Sequence, residues 1–222
     1  MKELHSNQND KCWYKEVCTN DNCSGCIRFL EMNFLMQNSG IPESKQRPIQ
    51  LTAQTANDKK MFLRLNNLKD NIVDFVDNGD NLYLASKSTG NGKTSWSIKL
   101  VLKFFDSIWA GNGLRVRALF IHVPTFLIKL KDFKNPVDAE FKQNIENCDL
   151  VVWDDIASTE LTNYDYSQLL TYIDARVLAE KSNIYTGNII EKEKLKEVMG
   201  ERLASRIMNN AQLIILDGKD QR

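Results

Sequence analysis

One short segment restricts the possible folds of this chain more than any other. Residues 82–94 read LYLASKSTGNGKT, and an amphipathic stretch follows to about residue 109. This pattern predicts a buried strand, a glycine-containing turn and a helix that begins at the turn. Backbone N–H groups at such a turn, together with the positive end of the helix dipole, are suited to bind phosphate oxygens. The segment therefore predicts a Walker A phosphate-binding loop inside an α/β fold.

The side chains of this loop predict how it binds a nucleotide. Gly90 and Gly92 allow the backbone to close around phosphate oxygens without a side-chain clash. Lys93 can reach the β- and γ-phosphates, and Thr94 can supply a hydroxyl to Mg²⁺. The first glycine of the motif is Lys87 here, so only G-x-G-K-T is intact, and a chance GKT after a strand is the alternative. The loop residues predicted to bind ATP are Gly90, Asn91, Gly92, Lys93, Thr94 and Ser95.

A second motif lies where a Mg²⁺-dependent phosphate site needs it. The apolar run 150–153 is followed by Asp154 and Asp155, which is the Walker B pattern. A buried strand would deliver Asp154 to the carboxyl edge of the sheet, where it can hold Mg²⁺ through water, and Asp155 can polarise the attacking water. Asn188 follows a later strand and can contact the γ-phosphate or that water. The alternatives are a solvated acidic turn and an asparagine that only forms a turn after Gly187.

The rest of the chain alternates short apolar runs with helical patterns. Such alternation predicts a parallel sheet covered by helices on both faces. We expect three zones: a cysteine-rich module at 1–40, a polar linker at 41–60 and an ATPase domain at 61–222. The predicted strands are 82–85, 118–123, 150–153, 183–186 and 212–216, and the predicted helices are 61–77, 93–109, 125–133, 138–147, 163–180 and 191–209.

Four cysteines are clustered near the N-terminus, at Cys12, Cys18, Cys23 and Cys26. Four thiolates this close in sequence can surround one tetrahedral Zn²⁺, and the C-x₂-C pair is the familiar half of such a site. An iron–sulfur cluster and free thiols are the alternatives, with His5 as a substitute ligand. A module of this size lacks a core of its own, so we expect it to need the metal to fold.

Overall composition excludes some classes of protein and leaves others open. The 29 basic and 29 acidic residues cancel, so a role with nucleic acid requires a local basic patch. There is no run of 18 apolar residues, and the N-terminus lacks the apolar core of a secretory signal. We therefore expect no membrane association and a cytoplasmic location.

With these motifs in place, the chain resembles bacterial replicative-helicase loaders of the DnaC and DnaI kind, particularly their phage-encoded relatives. The resemblance covers about residues 61–222 and rests on TGNGKTSW, VVWDDI, YTGN and the tail MGERLASRI…ILDGKDQR. It implies a lidless AAA+ core with a five-stranded parallel sheet, beside the small cysteine-rich module. It also implies ATP-dependent loading of the replicative helicase onto single-stranded DNA.

The family tail implies roles for arginines far from the Walker motifs. Arg206 matches the arginine finger that reaches the γ-phosphate of a neighbouring subunit's ATP, which implies self-association through the ATP sites. Arg222, the last residue, matches the sensor arginine that contacts nucleotide from within its own subunit. Arg202 lies on the same helical face as Arg206 and is a weaker candidate for either role. An ordinary solvated helix face is the alternative for both helical arginines.

Two further features are assigned through the resemblance. The region 115–134 carries a net charge of +4 and is similar to the part of DnaC-like loaders that lines a single-strand-binding groove, so Lys129, Lys131 and Lys134 are predicted to contact single-stranded DNA. A solvated amphipathic helix is the alternative. The cysteine-rich module resembles in role the zinc module with which DnaI-like loaders grip the helicase. The apolar stripe proposed as its docking face, or as its own packing face, is Ile27, Leu30, Phe34 and Leu35.

Two other functions use the same motifs. An IstB-like transposition regulator shares this ATPase core and binds DNA and a transposase, but the cysteine-rich N-terminus favours the loader. A non-enzymatic adaptor would bind ATP without hydrolysing it. Turnover in the presence of helicase and DNA separates the adaptor from the loader.

Overall fold

The chain folds as strands that alternate with helices, as predicted. The computed structural model describes residues 12–14, 18, 25–47, 50–108, 114–132, 134 and 136–218. Within these ranges no helix is long and apolar enough to span a membrane. The strands are β1 (Asn81–Ala85), β2 (Ala118–His122), β3 (Leu150–Asp154), β4 (Ser182–Gly187) and β5 (Ala211–Ile215). The α-helices are α1 (Ile27–Asn38), α2 (Ala56–Asp70), α3 (Ile72–Asp77), α4 (Lys93–Ser107), α5 (Val123–Leu130), α6 (Ala139–Asn147), α7 (Asn163–Leu178), α8 (Lys192–Met199) and α9 (Glu201–Ile207).

The strands form one parallel sheet in the order β2-β3-β4-β1-β5, which confirms the predicted five-stranded parallel sheet. Strands β1, β3 and β4 are buried at every position, because helices cover both faces of the sheet. One face packs against α1 to α4, and the other packs against α5 to α9. After β1 the chain crosses to β2, which lies beyond β4 and β3 at the edge of the sheet, whereas β5 lies on the other side of β1. Such a reversal of strand order opens a crevice at the carboxyl ends of the strands.

Helix α1 packs on the same core as the sheet. Leu35 and Met36 are buried in the cluster that also contains residues of α2 and α4. The guanidinium of Arg28 donates a hydrogen bond to the carbonyl oxygen of Asp106 at the end of α4 (2.6 Å). Directly after the helix, the carbonyl of Ser39 accepts a hydrogen bond from the backbone of β2. Residues 28–39 are therefore attached to the same core as the sheet at several points.

This packing divides the apolar stripe of α1 between the core and the surface. Leu35 is 2% exposed and Phe34 packs against the core, whereas Ile27 and Leu30 are 67% and 51% exposed. Only the first part of the stripe is available to a partner. The predicted domain boundaries at residues 40 and 60 stay predictions.

Helix α2 begins earlier than the predicted residue 61. The hydroxyl of Thr55 accepts a hydrogen bond from the backbone N–H of Asp58 (2.9 Å), and the Asp58 carboxylate accepts one from the backbone N–H of Thr55 (3.3 Å). This capping box satisfies two N–H groups at the helix start. The apolar periodicity used for the prediction begins only after this polar first turn, so it missed the true start.

A buried arginine holds together the ends where β3 and β4 begin. Arg176 is fully buried on α7. It donates hydrogen bonds to the carbonyl oxygens of Ile145 (2.7 Å), Cys148 (2.9 Å) and Ser182 (2.6 Å), and to the side-chain oxygen of Asn183 (2.8 Å). A buried charge requires such compensation. The same two strands carry the predicted catalytic side chains at their other ends.

Candidate functional site

The predicted Walker A loop joins β1 to α4 and has the backbone that phosphate binding requires. Gly90 and Gly92 have φ values of 72° and 98°, in the left-handed region that favours glycine. Helix α4 begins immediately afterwards at Lys93. A Cβ atom on Gly92 would lie 3.3 Å from the side chain of Leu51, so the loop is also closely covered. The first turn of α4 lines the crevice with Lys93, Thr94 and Ser95, so the positive end of the helix dipole lies beside it.

Lys93 and Asn91 point into the loop rather than away from it. Lys93 is 8% exposed, and its Nζ donates hydrogen bonds to the carbonyl oxygen of Ser88 (3.0 Å) and to Oδ1 of Asn91 (3.3 Å). The amide nitrogen of Asn91 donates to the hydroxyl of Ser86 and to the carbonyl oxygen of Leu216 (3.3 Å). The Asn91 side chain is thus engaged in hydrogen bonds within the protein. The predicted contact of Asn91 with ATP would therefore use its backbone N–H group.

The Walker A threonine and the first Walker B carboxylate meet in the structure. Thr94 Oγ1 donates a hydrogen bond to Oδ1 of Asp154 (2.9 Å), and Thr186 Oγ1 donates to the same oxygen (2.8 Å). A threonine hydroxyl beside a carboxylate is the oxygen donor set that Mg²⁺ prefers, so these residues fit the implied cation. Thr186 was missed by sequence reasoning. Its signal was the end of β4, the strand that pairs with the Walker B strand.

Burial raises the pKa of Asp154 above its ordinary value, although hydrogen bonds from Thr186 and Thr94 and the nearby His122 oppose this shift. Asp154 is 4% exposed. The ionised carboxylate is therefore destabilised in the nucleotide-free protein. A bound cation would stabilise the ionised carboxylate and so offset the free-energy cost of its burial.

Asp155 directly follows Asp154 at the end of β3, and Asn188 directly follows β4, the neighbouring strand. Asp155 has a φ of 62°, which is rare for a residue with a side chain, and its backbone N–H donates to Thr186 Oγ1 (2.9 Å). Backbone strain of this kind is often found at functional sites. The side-chain oxygen of Asn188 is buried and has no hydrogen-bond partner among the described residues. Both side chains face the crevice, where a phosphate or a water molecule could reach them.

An open cavity of about 550 Å³ unites these groups. It contains all of the predicted Walker A, Walker B and sensor residues that the structure describes, from Gly90 to Ser95 together with Asp154, Asp155 and Asn188. The segment predicted as a linker also contributes to its wall. The lining residues that the sequence did not indicate are Lys45, Gln50, Leu51, Thr89, His122 and Thr186.

Arg202 and Arg206 do not line this cavity. The predicted helix 191–209 is in fact two helices, because Gly200 has a φ of 73° and breaks it. On α9, Arg202 and Arg206 both form ion pairs with Asp174 of α7. Neither arginine is among the described residues that line the cavity. Arg222 lies outside the described residues.

The cysteines do not form a metal site in the described part of the chain. Cys12 is buried, and Cys18 and Cys26 are partly buried. No group of three or more His, Cys, Asp or Glu side chains among the described residues is arranged to hold a metal ion. Cys23 and His5 lie outside the described residues. The structure therefore does not support the zinc site.

Acidic side chains from other parts of the chain offset the positive charge of the predicted DNA-binding region. Arg115 and Arg117 both pair with Asp149, which lies outside that stretch of sequence. Lys131 Nζ donates a hydrogen bond to the buried Asp165 (2.7 Å). Burial alone raises the pKa of Asp165, but hydrogen bonds from Lys131 and from Thr162 lower it below its ordinary value. The remaining lysines of the prediction, Lys129 and Lys134, are exposed.

We predict that Asp154→Asn stabilises the nucleotide-free protein at neutral pH. Asparagine can accept both threonine hydrogen bonds through its oxygen and carries no charge to desolvate. Because the folded-state pKa of Asp154 is raised, the charged carboxylate costs stability above that pKa, and the cost disappears as the pH falls toward the ordinary 3.8. Thermal unfolding in magnesium-free buffer should show a gain on the order of 1 kcal/mol at neutral pH that shrinks in acid. A variant less stable than wild type at neutral pH contradicts this assignment.

A glycine-rich Walker A loop after β1 and a Walker B carboxylate at the end of β3, in one parallel sheet, are the arrangement of a P-loop nucleotide-binding fold. The chain is similar to the crystal structure of the DnaC helicase loader, at 18% identity and a TM-score of 0.67, over 79% of this chain and 100% of that one. It is also similar to DnaI, at 16% identity and a TM-score of 0.64, over 80% and 95% of the two chains. AMPPCP-bound DnaA from Aquifex aeolicus follows at 17% identity and a TM-score of 0.56, over 74% and 48%.

No protein-family model matches the chain, and no curated protein matches it by sequence. At these low identities the structural likeness shows the fold. At that level it confirms the resemblance to DnaC and DnaI. The phage-type origin stays a prediction.

Proposed function

We propose that this protein is an ATPase that loads the replicative DNA helicase onto single-stranded DNA. The observation that carries the proposal is the contact between Thr94 and Asp154, which joins the two Walker motifs inside one cavity. This site lies in a fold shared with the DnaC helicase loader and DnaI. An analogue of ATP is bound in a further protein of the same fold, DnaA.

The side chains of the cavity divide the chemistry of ATP hydrolysis between them. Backbone N–H groups at the start of α4 and the ammonium of Lys93 hold the phosphates. Thr94 and Asp154 would hold Mg²⁺, which neutralises charge on the phosphate oxygens when bound. Asp155 accepts a proton from the attacking water or orients it, and Asn188 donates a hydrogen bond to the γ-phosphate or fixes the same water.

Hydrolysis also depends on a neighbouring subunit in this proposal. Arg206 is held by Asp174 on the side of the domain formed by α7 and α9, away from the groups that line its own cavity. A guanidinium in this place can serve the ATP of a second copy, where it spreads the charge of the phosphoryl group in the transition state. We therefore expect slow turnover in the isolated subunit and faster turnover in the assembled protein.

The proposed partner can be tested by affinity capture from a host lysate. Tagged wild-type protein with ATP is compared with the Lys93→Ala variant under the same conditions. We expect the wild type to retain the replicative helicase and the variant to retain much less of it. Recovery of a transposase in place of the helicase would instead support the IstB-like alternative, and ATP-dependent helicase capture without any turnover would support the adaptor.

Single-stranded DNA binding by Lys129, Lys131 and Lys134 stays a prediction. Neutralising all three should weaken binding and reduce the slope of log affinity against log salt by roughly 0.7 for each phosphate that the variant no longer neutralises. Because Lys131 is engaged by Asp165, the Lys129 and Lys134 changes should account for most of the effect. Neutralisation of the exposed Lys192 and Lys194 on α8 is the control. An unchanged slope would identify an ordinary solvated helix.

The zinc module and its grip on the helicase also stay predictions of the sequence. The implied ligands are Cys12, Cys18, Cys23 and Cys26. Elemental analysis of the purified protein tests this directly. One zinc per chain that is lost in a Cys23→Ser variant would support the site, and iron or no metal would exclude it.

A further inference from the structure

The segment after β5 is held against the phosphate loop. We call residues 216–218 the tail segment. The carbonyl oxygen of Leu216 accepts a hydrogen bond from the Asn91 side chain (3.3 Å), and the carbonyl oxygen of Gly218 accepts one from the hydroxyl of Ser88 (2.9 Å). Two residues of the Walker A loop therefore depend on the position of a segment that is more than a hundred residues away in sequence.

A single carboxylate fixes the tail segment from its other side. Asp58, in the first turn of α2, is 2% exposed. Its Oδ1 accepts hydrogen bonds from the backbone N–H groups of Asp217 (3.0 Å) and Gly218 (3.2 Å). Its Oδ2 accepts the capping-box bond from Thr55. Burial of a carboxylate is costly, and here main-chain donors compensate for it.

The tail segment passes close to this carboxylate. A Cβ atom on Gly218 would lie 2.8 Å from Oδ2 of Asp58 and 3.5 Å from Oε1 of Gln54. The absence of a side chain at Gly218 is what allows the backbone to approach Asp58. A helix cap alone would need no such close approach.

We propose that Asp58 is a positioning residue of the nucleotide site. It holds the tail segment, and the tail segment holds Ser88 and Asn91. Each of these two residues supplies one oxygen atom that accepts a hydrogen bond from the ammonium of Lys93. Asp58 itself is not among the described residues that line the cavity. Its effect on ATP is therefore indirect, through the shape of the loop. The inference rests on the proposed binding of ATP at this loop.

The first test separates this role from helix capping. Asp58→Ala removes both the cap and the tail contacts, whereas Thr55→Ala removes the capping hydroxyl and leaves the tail contacts in place. Both variants should lower the unfolding temperature. Only Asp58→Ala should weaken binding of Mg²⁺–ATP, by about tenfold or more, the scale seen for residues that orient the ligands of a site. Calorimetric titration at a temperature where each variant is folded measures this difference.

Two more variants keep the test decisive if Asp58→Ala does not fold. Gly218→Ala pushes the tail segment away from Asp58 and keeps both capping side chains, Thr55 and Asp58, so it should also weaken ATP binding. Asp58→Asn retains an oxygen for the two tail N–H groups, and its affinity should stay within about twofold of wild type. The inference is overturned if Gly218→Ala binds ATP as wild type does, or if Asp58→Ala and Thr55→Ala weaken binding equally.

These outcomes are distinct from failure of the proposed function. If the wild type does not bind Mg²⁺–ATP, the proposed function fails, and the inference fails with it. If the wild type binds and Lys93→Ala does not, the nucleotide site stands. Wild-type affinity in Gly218→Ala then overturns the role of Asp58 alone.

Discussion

Replacement of Lys93 by alanine is expected to weaken ATP binding by about 100-fold or more. The variant lacks the charge-assisted hydrogen bond to the phosphates, which is worth about 3 kcal/mol in a partly enclosed site. Lys93 is 8% exposed and already lies inside the loop, so little reorganisation is needed for it to bind phosphate. Equilibrium binding of a fluorescent ATP analogue measures the effect, with thermal unfolding as the check that the variant is folded.

Asp155→Asn is the matched control for this change. Asp155 lines the same cavity directly after β3, and its carboxylate is proposed to act on water rather than on the phosphates. We expect this variant to bind ATP with near wild-type affinity. Its rate of phosphate release should fall by about 100-fold or more. Normal ATP binding by Lys93→Ala would show that the nucleotide site is assigned wrongly.

Replacement of Arg206 by alanine should abolish most hydrolysis and leave ATP affinity nearly unchanged. An arginine finger contributes about 10³-fold or more in fast phosphoryl-transfer enzymes, and a slow loader can show less. The neighbouring Arg202 provides a matched control, because it lies on the same helix and pairs with the same carboxylate of Asp174. Arg202→Ala should therefore reproduce any loss of packing on α7 while hydrolysis is retained.

A mixing experiment shows whether Arg206 acts on a neighbouring subunit. Arg206→Ala protein has an intact phosphate loop, and Lys93→Ala protein has an intact Arg206. Mixed assemblies contain sites in which the loop of the first protein meets the arginine of the second, so partial turnover should return. If mixing restores no activity at any ratio, or if Arg206→Ala alone remains fully active, Arg206 is not a finger acting between subunits.

Agreement between sequence and structure differs from one part of the chain to another. The phosphate loop was predictable because its strand, glycines, lysine and helix are adjacent in sequence. The position of Asp154 at the end of a buried strand was predictable because an apolar run followed by carboxylates has a recognisable pattern. The start of α2 and the break at Gly200 were not predicted. The first lies in a polar capping turn without apolar periodicity, and the second interrupts a periodicity that continues on both sides of it.

Charge was less predictable than topology. The region 115–134 has a net charge of +4 in sequence, but Asp149 and Asp165 fold against three of its five basic side chains. A window of sequence counts only the charges inside it, whereas the electric field of the folded protein depends on the charges that packing brings near. The net positive charge at this surface is therefore smaller than the sequence indicated.

The sequence by itself determined the α/β fold, the order of its elements and the two Walker motifs, because each of these depends on residues that are neighbours along the chain. Only the tertiary structure decided that Thr94 and Thr186 donate hydrogen bonds to one oxygen of Asp154, and that Asp58 accepts a hydrogen bond from the backbone N–H of Gly218. Such contacts join positions that are distant in sequence. Their hydrogen bonds depend on distances of about 3 Å that only the packed sheet and helices can set.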